Sequence, residues 1–223
     1  MQLATVRTYG VTPAPAATRP PNLMQSLGTL RRYGADETVC SQGEMADYWY
    51  QLAGGAARKC TQMSDGRRRI VDFLLPGDLF GFHAGARHDW SVECVARNTT
   101  VVRYQRPRME SLLESDPQFA RRVREIAFES IDRMQSRAIL LGCGRALERV
   151  GGFLLEMADR RIETDGTVAL PMSRYDIADY LAIAVETVSR SLTTLRSRQV
   201  IAFLDTRHFR IVNRKALEDH CCR

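Results

Sequence analysis

Between residues 30 and 110, apolar and polar positions alternate in short runs that end at turn residues. "YWYQLAGGAARKC" alternates and breaks at Gly54 and Gly55, the pattern of a hairpin. "SDGRRRIVDFLLPGDLFG" gives a turn at Asp65 and Gly66, an apolar strand from Ile70 to Leu75, and another turn at Pro76, Gly77 and Asp78. "SVECVARNTTVVRYQR" adds two strands around Asn98. Short strands at this spacing predict a small antiparallel barrel or roll. The period changes at Asp116. Ala120, Val123, Ala127, Ile131 (or Ser130), Met134, Ala138 and Leu141 recur at three- and four-residue steps. Arg121, Arg122, Arg124, Glu125, Glu129, Asp132, Arg133 and Arg137 surround them. A long helix with so narrow an apolar seam suits a contact between two helices, and Val123, Ala127, Ile131, Met134, Ala138 and Leu141 are the candidate dimer interface. Packing against its own roll is the alternative. "GCG" at 142–144 ends the helix in a hinge.

"RALERVGGFLLEMADRR" at 145–161 is a second amphipathic helix, with Leu147, Val150, Phe153, Leu154 and Met157 inward. A turn at Asp165 and Gly166 follows. Ser173, with Asp176 three residues on, then starts a short helix as its N-cap. Ala182, Ile183 and Ala184 make a tight turn into "VETVSRSLTTLRSRQVI". That segment buries Val185, Val188, Leu192 and Leu195 and turns Glu186, Thr187, Ser189, Arg190, Thr193 and Thr194 outward. "VIAFLDTRHFRIV" adds a hairpin about Asp205 and Thr206. Two short helices, a tight turn and a wing describe a winged helix-turn-helix, whose second helix enters the major groove. Arg190 suits guanine O6 and N7, Glu186 a cytosine or adenine amine, and Ser189 a hydrogen bond or a thymine methyl. Glu186 and Arg190 stand four apart, so Glu186 can also steady the guanidinium. Thr187, Ser173 and Arg174 complete the candidate DNA contacts.

Composition adds limits. The chain has 223 residues, with 44% hydrophobic and 26% charged positions. It reads as an α+β protein: a flexible tail over 1–27, a roll over 28–115, a dimerisation helix and hinge over 116–143, and a DNA-binding unit over 144–223. No apolar run approaches the roughly 18 residues of a membrane span, and the N-terminus has no signal-peptide core. A cytoplasmic location without a membrane partner is expected. The net charge of +6 permits a nucleic-acid partner without demanding one. Cys40, Cys60, Cys94, Cys143, Cys221 and Cys222 match no zinc or iron–sulfur spacing, and the first four read as inert or buried thiols. His83, His88, His208 and His220 pair with no nucleophile or metal-spaced partner, so neither catalysis nor a metal site is expected.

"LPGDLFG", the long helix and "SRYDIADYLAIAVETVSRSLTTLRSRQVI" together resemble a CRP/FNR-type transcription regulator over residues 28 to 213. "ETVSR" is similar to the FNR branch, where Glu, Ser and Arg in this pattern read TTGAT-like half-sites. By position these are Glu186, Ser189 and Arg190. The resemblance implies a homodimer that binds double-stranded DNA at a palindrome of TTGAT and ATCAA separated by four base pairs, and that engages RNA polymerase.

Two departures matter. Iron–sulfur members of the family cluster cysteines near the N-terminus, and this chain has none before Cys40. Nucleotide-binding members use a Glu after the "PGD" turn for the ribose and an Arg-Ser pair for the phosphate. Here those places hold Phe82 and the pair Trp90 and Ser91, which cannot supply either contact. Arg87 is the nearby candidate substitute. The chain therefore resembles the FixK-like branch, and no cofactor is expected; a small-molecule-gated regulator with a pocket in the roll is the alternative. A Cys in place of Ser189 would put an oxidisable thiol beside DNA; FixK-like relatives can carry one there, and Ser189 is either natural or a replacement for it.

Overall fold

The computed structural model describes residues 27–160, 163 and 165–220. The tail expected over 1–27 lies outside the described residues except for Leu27, and so do Cys221 and Cys222. The roll is built from β1 (Thr29–Tyr33), β2 (Thr38–Cys40), β3 (Tyr48–Gly54), β4 (Ala57–Gln62), β5 (Arg68–Leu74), β6 (Leu79–Phe80), β7 (Ser91–Cys94) and β8 (Thr99–Gln105). They form two antiparallel sheets, ordered β1-β8-β3-β6 and β2-β7-β4-β5. Leu52, Ala57, Val92 and Val101 are sealed between the sheets with Tyr50, Leu74 and Phe80.

The expected hairpin at Gly54 and Gly55 is corrected by this topology. β3 pairs with β6 and β8, while β4 pairs with β5 and β7, so the glycines carry the chain from one sheet to the other. Gly55 has φ +81°, and a Cβ there would lie 2.5 Å from Thr99 Oγ1. Turn residues announce a change of direction, not the sheet the chain joins next. Asn98, at φ 60°, makes the same kind of crossing between β7 and β8. The Asp65–Gly66 turn does close a hairpin: Met63 N–H donates to Arg67 O and Gly66 N–H to Met63 O.

A helix absent from the sequence reading follows the roll. α1 (Arg106–Ser115) has Pro107 in its first turn and buries Met109 completely. α2 (Pro117–Gly142) starts where the Asp116 carboxylate accepts from Gln118 and Phe119 N–H. Phe119 and Val123 of α2 pack on Trp49, Leu79, Tyr104 and Met109. Val123 therefore belongs to its own roll and not to an outward seam. The apolar spacing that suggested the seam serves two faces in turn: Phe119 and Val123 point into the roll, while Phe128, Ile131, Met134 and Ile139 further along α2 are exposed.

α3 (Ala146–Arg160) buries Val150, Phe153, Leu154 and Met157. β9 (Thr167–Ala169), α4 (Arg174–Leu181), α5 (Val185–Ser197), β10 (Ile201–Phe203), β11 (His208–Ile211) and α6 (Arg214–Asp219) complete a winged helix-turn-helix whose sheet runs β10-β11-β9. One hydrophobic core joins this unit to the roll: Ala56, Cys60, Ile70, Phe73 and Leu75 pack with Phe153, Met157, Ile177, Tyr180 and Leu181. Phe73 lies 5.1 Å from Tyr180 and 6.0 Å from Phe153, ring centre to ring centre. Cys40, Cys60 and Cys94 are free, and burial pushes their thiols up to about 12, 12 and 11, which keeps them inert. Cys143, read from sequence as a thiol, is instead disulfide-bonded.

The turn between α4 and α5 depends on Ala182, which adopts φ 52° and ψ 47°. A Cβ is unfavourable in that left-handed region. Ala182→Gly should therefore raise stability by about 0.5–1 kcal/mol after the extra freedom of glycine in the unfolded chain is offset. Urea unfolding measures this, and a loss of stability would mean the turn carries no strain.

Candidate DNA-reading site

The first helix of the motif begins with a complete capping box. Ser173 Oγ accepts from Asp176 N–H at 3.1 Å and donates to Asp176 Oδ2 at 2.6 Å, and Ser173 N–H donates to the same oxygen at 2.9 Å. The Ser173 hydroxyl is thus committed to the cap, which weakens it as a DNA contact. Arg174 and Tyr175 beside it are exposed, Tyr175 by 75%. Arg174 Nη1 donates to Ser189 Oγ at 3.2 Å, so the two helices of the motif meet at their outer surface through two of the expected DNA contacts.

α5 buries Val188, Ser191, Leu192 and Leu195. Glu186 and Arg190 are exposed on the other side. Their charged ends pair neither with each other nor with any described residue, so the expected support of Arg190 by Glu186 is not formed here. Thr187 is half-buried next to them. Thr193 Oγ1 donates to Ser189 O and Thr194 Oγ1 to Arg190 O, both at 2.9 Å, which occupies their protons within the helix. Glu186 and Arg190, four residues apart, are therefore charged groups left without a partner on this face among the described residues. At the wing tip Asp205 accepts from Arg207 N–H and faces His208 Nδ1 at 2.8 Å, which holds the hairpin shape and keeps the Asp205 carboxyl below its ordinary range.

This reading head is fastened to the roll by buried arginines. Arg58 of β4, its side chain 12% exposed, reaches Asp176 of the capping box at 2.9 Å and also Glu93 and Asp36 at 2.8 Å. Arg137 of α2 donates to Ile70 O, Val71 O and Tyr180 O and lies over the Tyr180 ring. Arg160 of α3 donates to Phe73 O at 2.8 Å and to Asp78 Oδ2 at 2.6 Å. The same Asp78 oxygen accepts from Leu75 N–H and so closes the "PGD" turn. Arg69 and the Ile70 N–H both reach Asp179 of α4 at 3.3 Å. Sequence reasoning missed all of these pairs. Asp176 lies 118 positions from Arg58, and no local spacing signals such a partner.

The place where the family holds a cyclic nucleotide does not fit one. Phe82 packs on Trp49 at 5.5 Å and joins the cluster of Phe119 and Val123. Trp90 takes Lys59 Nζ 3.3 Å above its ring and the edge of His83 at 5.6 Å. His88, buried, lies against His83 and Tyr50, and Tyr50 stacks on Phe80 at 5.2 Å. Burial and the nearby His83 lower the His88 pKa and favour the neutral ring. Ser91 Oγ accepts from Gln42 N–H, and Arg87 Nη1 donates to Gly43 O at 2.7 Å. The candidate phosphate-binding groups are thus engaged with the protein itself, and aromatic rings pack through the interior.

A β-roll, a long helix and a winged helix-turn-helix with free polar groups on its second helix define a DNA-binding regulator. Two family models match: a Crp-like helix-turn-helix domain at residues 148–220 and a cyclic nucleotide-binding domain at residues 30–116. The chain is 36% identical over 208 residues to the nitrogen fixation regulation protein FixK of Azorhizobium caulinodans, covering 92% of this chain and 84% of that protein. It is 38% identical over 176 residues to the transcriptional activatory protein AadR of Rhodopseudomonas palustris, covering 78% and 73%. The solved structure of FixK2 from Bradyrhizobium japonicum superposes with a TM-score of 0.81 at 38% identity, covering 88% of this chain and 98% of that one. The chain belongs to the CRP/FNR family of DNA-binding transcription regulators, among its FixK-like members. Among the described residues no helix is long and apolar enough to cross a membrane.

Arg58→Met removes the cation shared by three carboxylates; Glu93 keeps Arg68, but buried Asp176 loses its only cation among the described residues. Breaking such a pair costs about 3 kcal/mol. Urea unfolding should show that loss together with weaker attachment of the head; an unchanged midpoint would mean that the pair contributes nothing.

Proposed function

We propose that the chain is a cytoplasmic transcription activator that works as a homodimer, reads a palindrome of TTGAT and ATCAA half-sites, engages RNA polymerase and needs no cyclic nucleotide. The observation that carries this reading is the pair of unmet charged ends, Glu186 and Arg190, on a helix whose opposite face is fully built into the core. Arg190 offers two parallel N–H donors to guanine, Glu186 accepts an amine from a neighbouring base, and Ser189 lies between them. Arg174, bonded to Ser189, orients it and faces the phosphates. The relative named as an activator supports the direction of regulation.

Arg190→Ala should cost about 1–3 kcal/mol per half-site and relax the preference at one base pair. Gel-shift titration on the palindrome and on variants of each position measures this. Equal losses on specific and random DNA would make Arg190 a phosphate contact and reject the reading role.

The dimer reading rests on the outer part of α2. Phe128, Ile131, Met134 and Ile139 are exposed by 59%, 42%, 55% and 66%, with Ala138 exposed beside them and Ala127 and Leu141 half-buried. So much apolar surface on one helix calls for a cover, and a two-fold partner presents the same stripe in return. That partner also places two reading helices about 34 Å apart, one turn of DNA. Ile131→Glu with Met134→Glu should give monomers with little operator affinity. Sedimentation showing an intact dimer would place the interface elsewhere.

A further inference from the structure

One acidic side chain, Glu156, lies largely buried at the seam between roll and reading head, 15% exposed. Glu156 of α3 has Tyr180 Oη of α4 3.3 Å from Oε2, and Arg160 Nη1 of its own helix 3.7 Å from Oε1, too far for a hydrogen bond. Its Oε1 is buried with no hydrogen-bond partner. Asp72 faces it from β5 and repels its charge, and Arg133 faces it from α2 and attracts it. Behind these, Arg160 is drawn to Asp78 at 2.6 Å and is 3.9 Å from Asp72, and Arg133 is 3.9 Å from Asp72. Arg137 covers the far side of Tyr180, and Lys59 lies within reach of Asp72 and Arg133. Both guanidinia are also drawn to Asp72 or Asp78, and Arg160 Nη1 and Arg133 Nε remain buried without a hydrogen-bond partner, so neither cation closes a hydrogen bond to a negative Glu156.

We propose that this seam is a proton-dependent latch: Glu156 holds a proton while the head is docked on the roll and gives it up to water when the head lifts away, so docking strengthens as the surroundings become more acidic. This rests on the proposed DNA-reading function and adds to it that the docked arrangement is the one that binds DNA. A protonated carboxyl has a hydrogen to donate and no net charge to bury, which suits a largely buried site with an unmatched oxygen. Burial, with Asp72 adding to it, raises the Glu156 carboxyl to about 7 from an ordinary 4.5. A raised acid contributes stability that is fully present below its free pKa of 4.5 and is lost as pH rises through about 7. Between pH 8 and pH 6 the docking constant should then grow about tenfold per protomer.

Glu156→Gln imitates the protonated form without a charge. The difference in unfolding stability between wild type and Glu156→Gln should widen against the wild type from pH 6 to pH 8, by about tenfold in the unfolding constant. Asp72→Asn removes the repelling carboxylate and should move the midpoint of that dependence to lower pH, which keeps the test open if the Gln variant folds poorly. Operator affinity is read in the Arg58→Met background, where attachment of the head is weaker and limits binding. There it should rise about tenfold per protomer from pH 8 to pH 6, and the Arg58→Met/Glu156→Gln double variant should lack that rise. A stability difference that ignores pH would overturn the latch. A pH-dependent stability difference with no matching change in operator affinity, or with a fall on acidification, would show that the carboxyl titrates but that the docked head is not the DNA-binding form.

Discussion

Arg160 is a cation withdrawn from water at the seam between two halves of the molecule, and the arrangement of the DNA-reading helix depends on it. Burial works against its charge, and Asp78 and then Asp72 outweigh that burial and hold the guanidinium firmly protonated. Such a group is stable only where carboxylates and carbonyls are fixed around it. Asp78 is fixed by the turn it closes and Phe73 O by its place in β5. The apolar core of Phe73, Phe153 and Tyr180 sets the distance between roll and head, and the directional bonds of Arg58, Arg137 and Arg160 set the angle.

This seam gives the filled roll a purpose. In a regulator gated by a nucleotide, the ligand must favour one arrangement over the other, because a ligand with equal affinity for both shifts nothing. Here the roll's interior is occupied by Tyr50, Phe80, His83, His88 and Trp90 packed on one another, and Phe82 ties its loop to α2. Trp90 lies with the rings of the roll, beneath Lys59. On the proposed reading, the protein's own side chains provide the fixed arrangement that a bound nucleotide would otherwise have to select.

Much of this was legible beforehand because it is local. The capping box at Ser173, the Ala182 turn, the buried face of Val188, Leu192 and Leu195, and the wing at Asp205 all follow from residues within a few positions of each other. What could not be read depends on distance along the chain. Gly54 and Gly55 looked like a hairpin because the sheet a strand joins is decided by partners far away. Val123 looked like part of a dimer seam because a helix that changes neighbours along its length keeps one apolar period. Arg58, Arg137 and Arg160 give no local signal of their roles, since their partners lie 118, 43 and 82 positions away. α1 was hidden because Pro107 and a run of charges masked the single buried Met109.

The most direct test of a reading head held by its own protein is operator affinity with and without cyclic nucleotide. Purified wild-type protein should bind the palindrome with full affinity when no nucleotide is present, and millimolar cyclic AMP should leave that affinity unchanged. A tenfold gain on adding cyclic AMP, about 1.4 kcal/mol of coupling, would contradict the account, because it would require a nucleotide site inside a roll packed with aromatic rings.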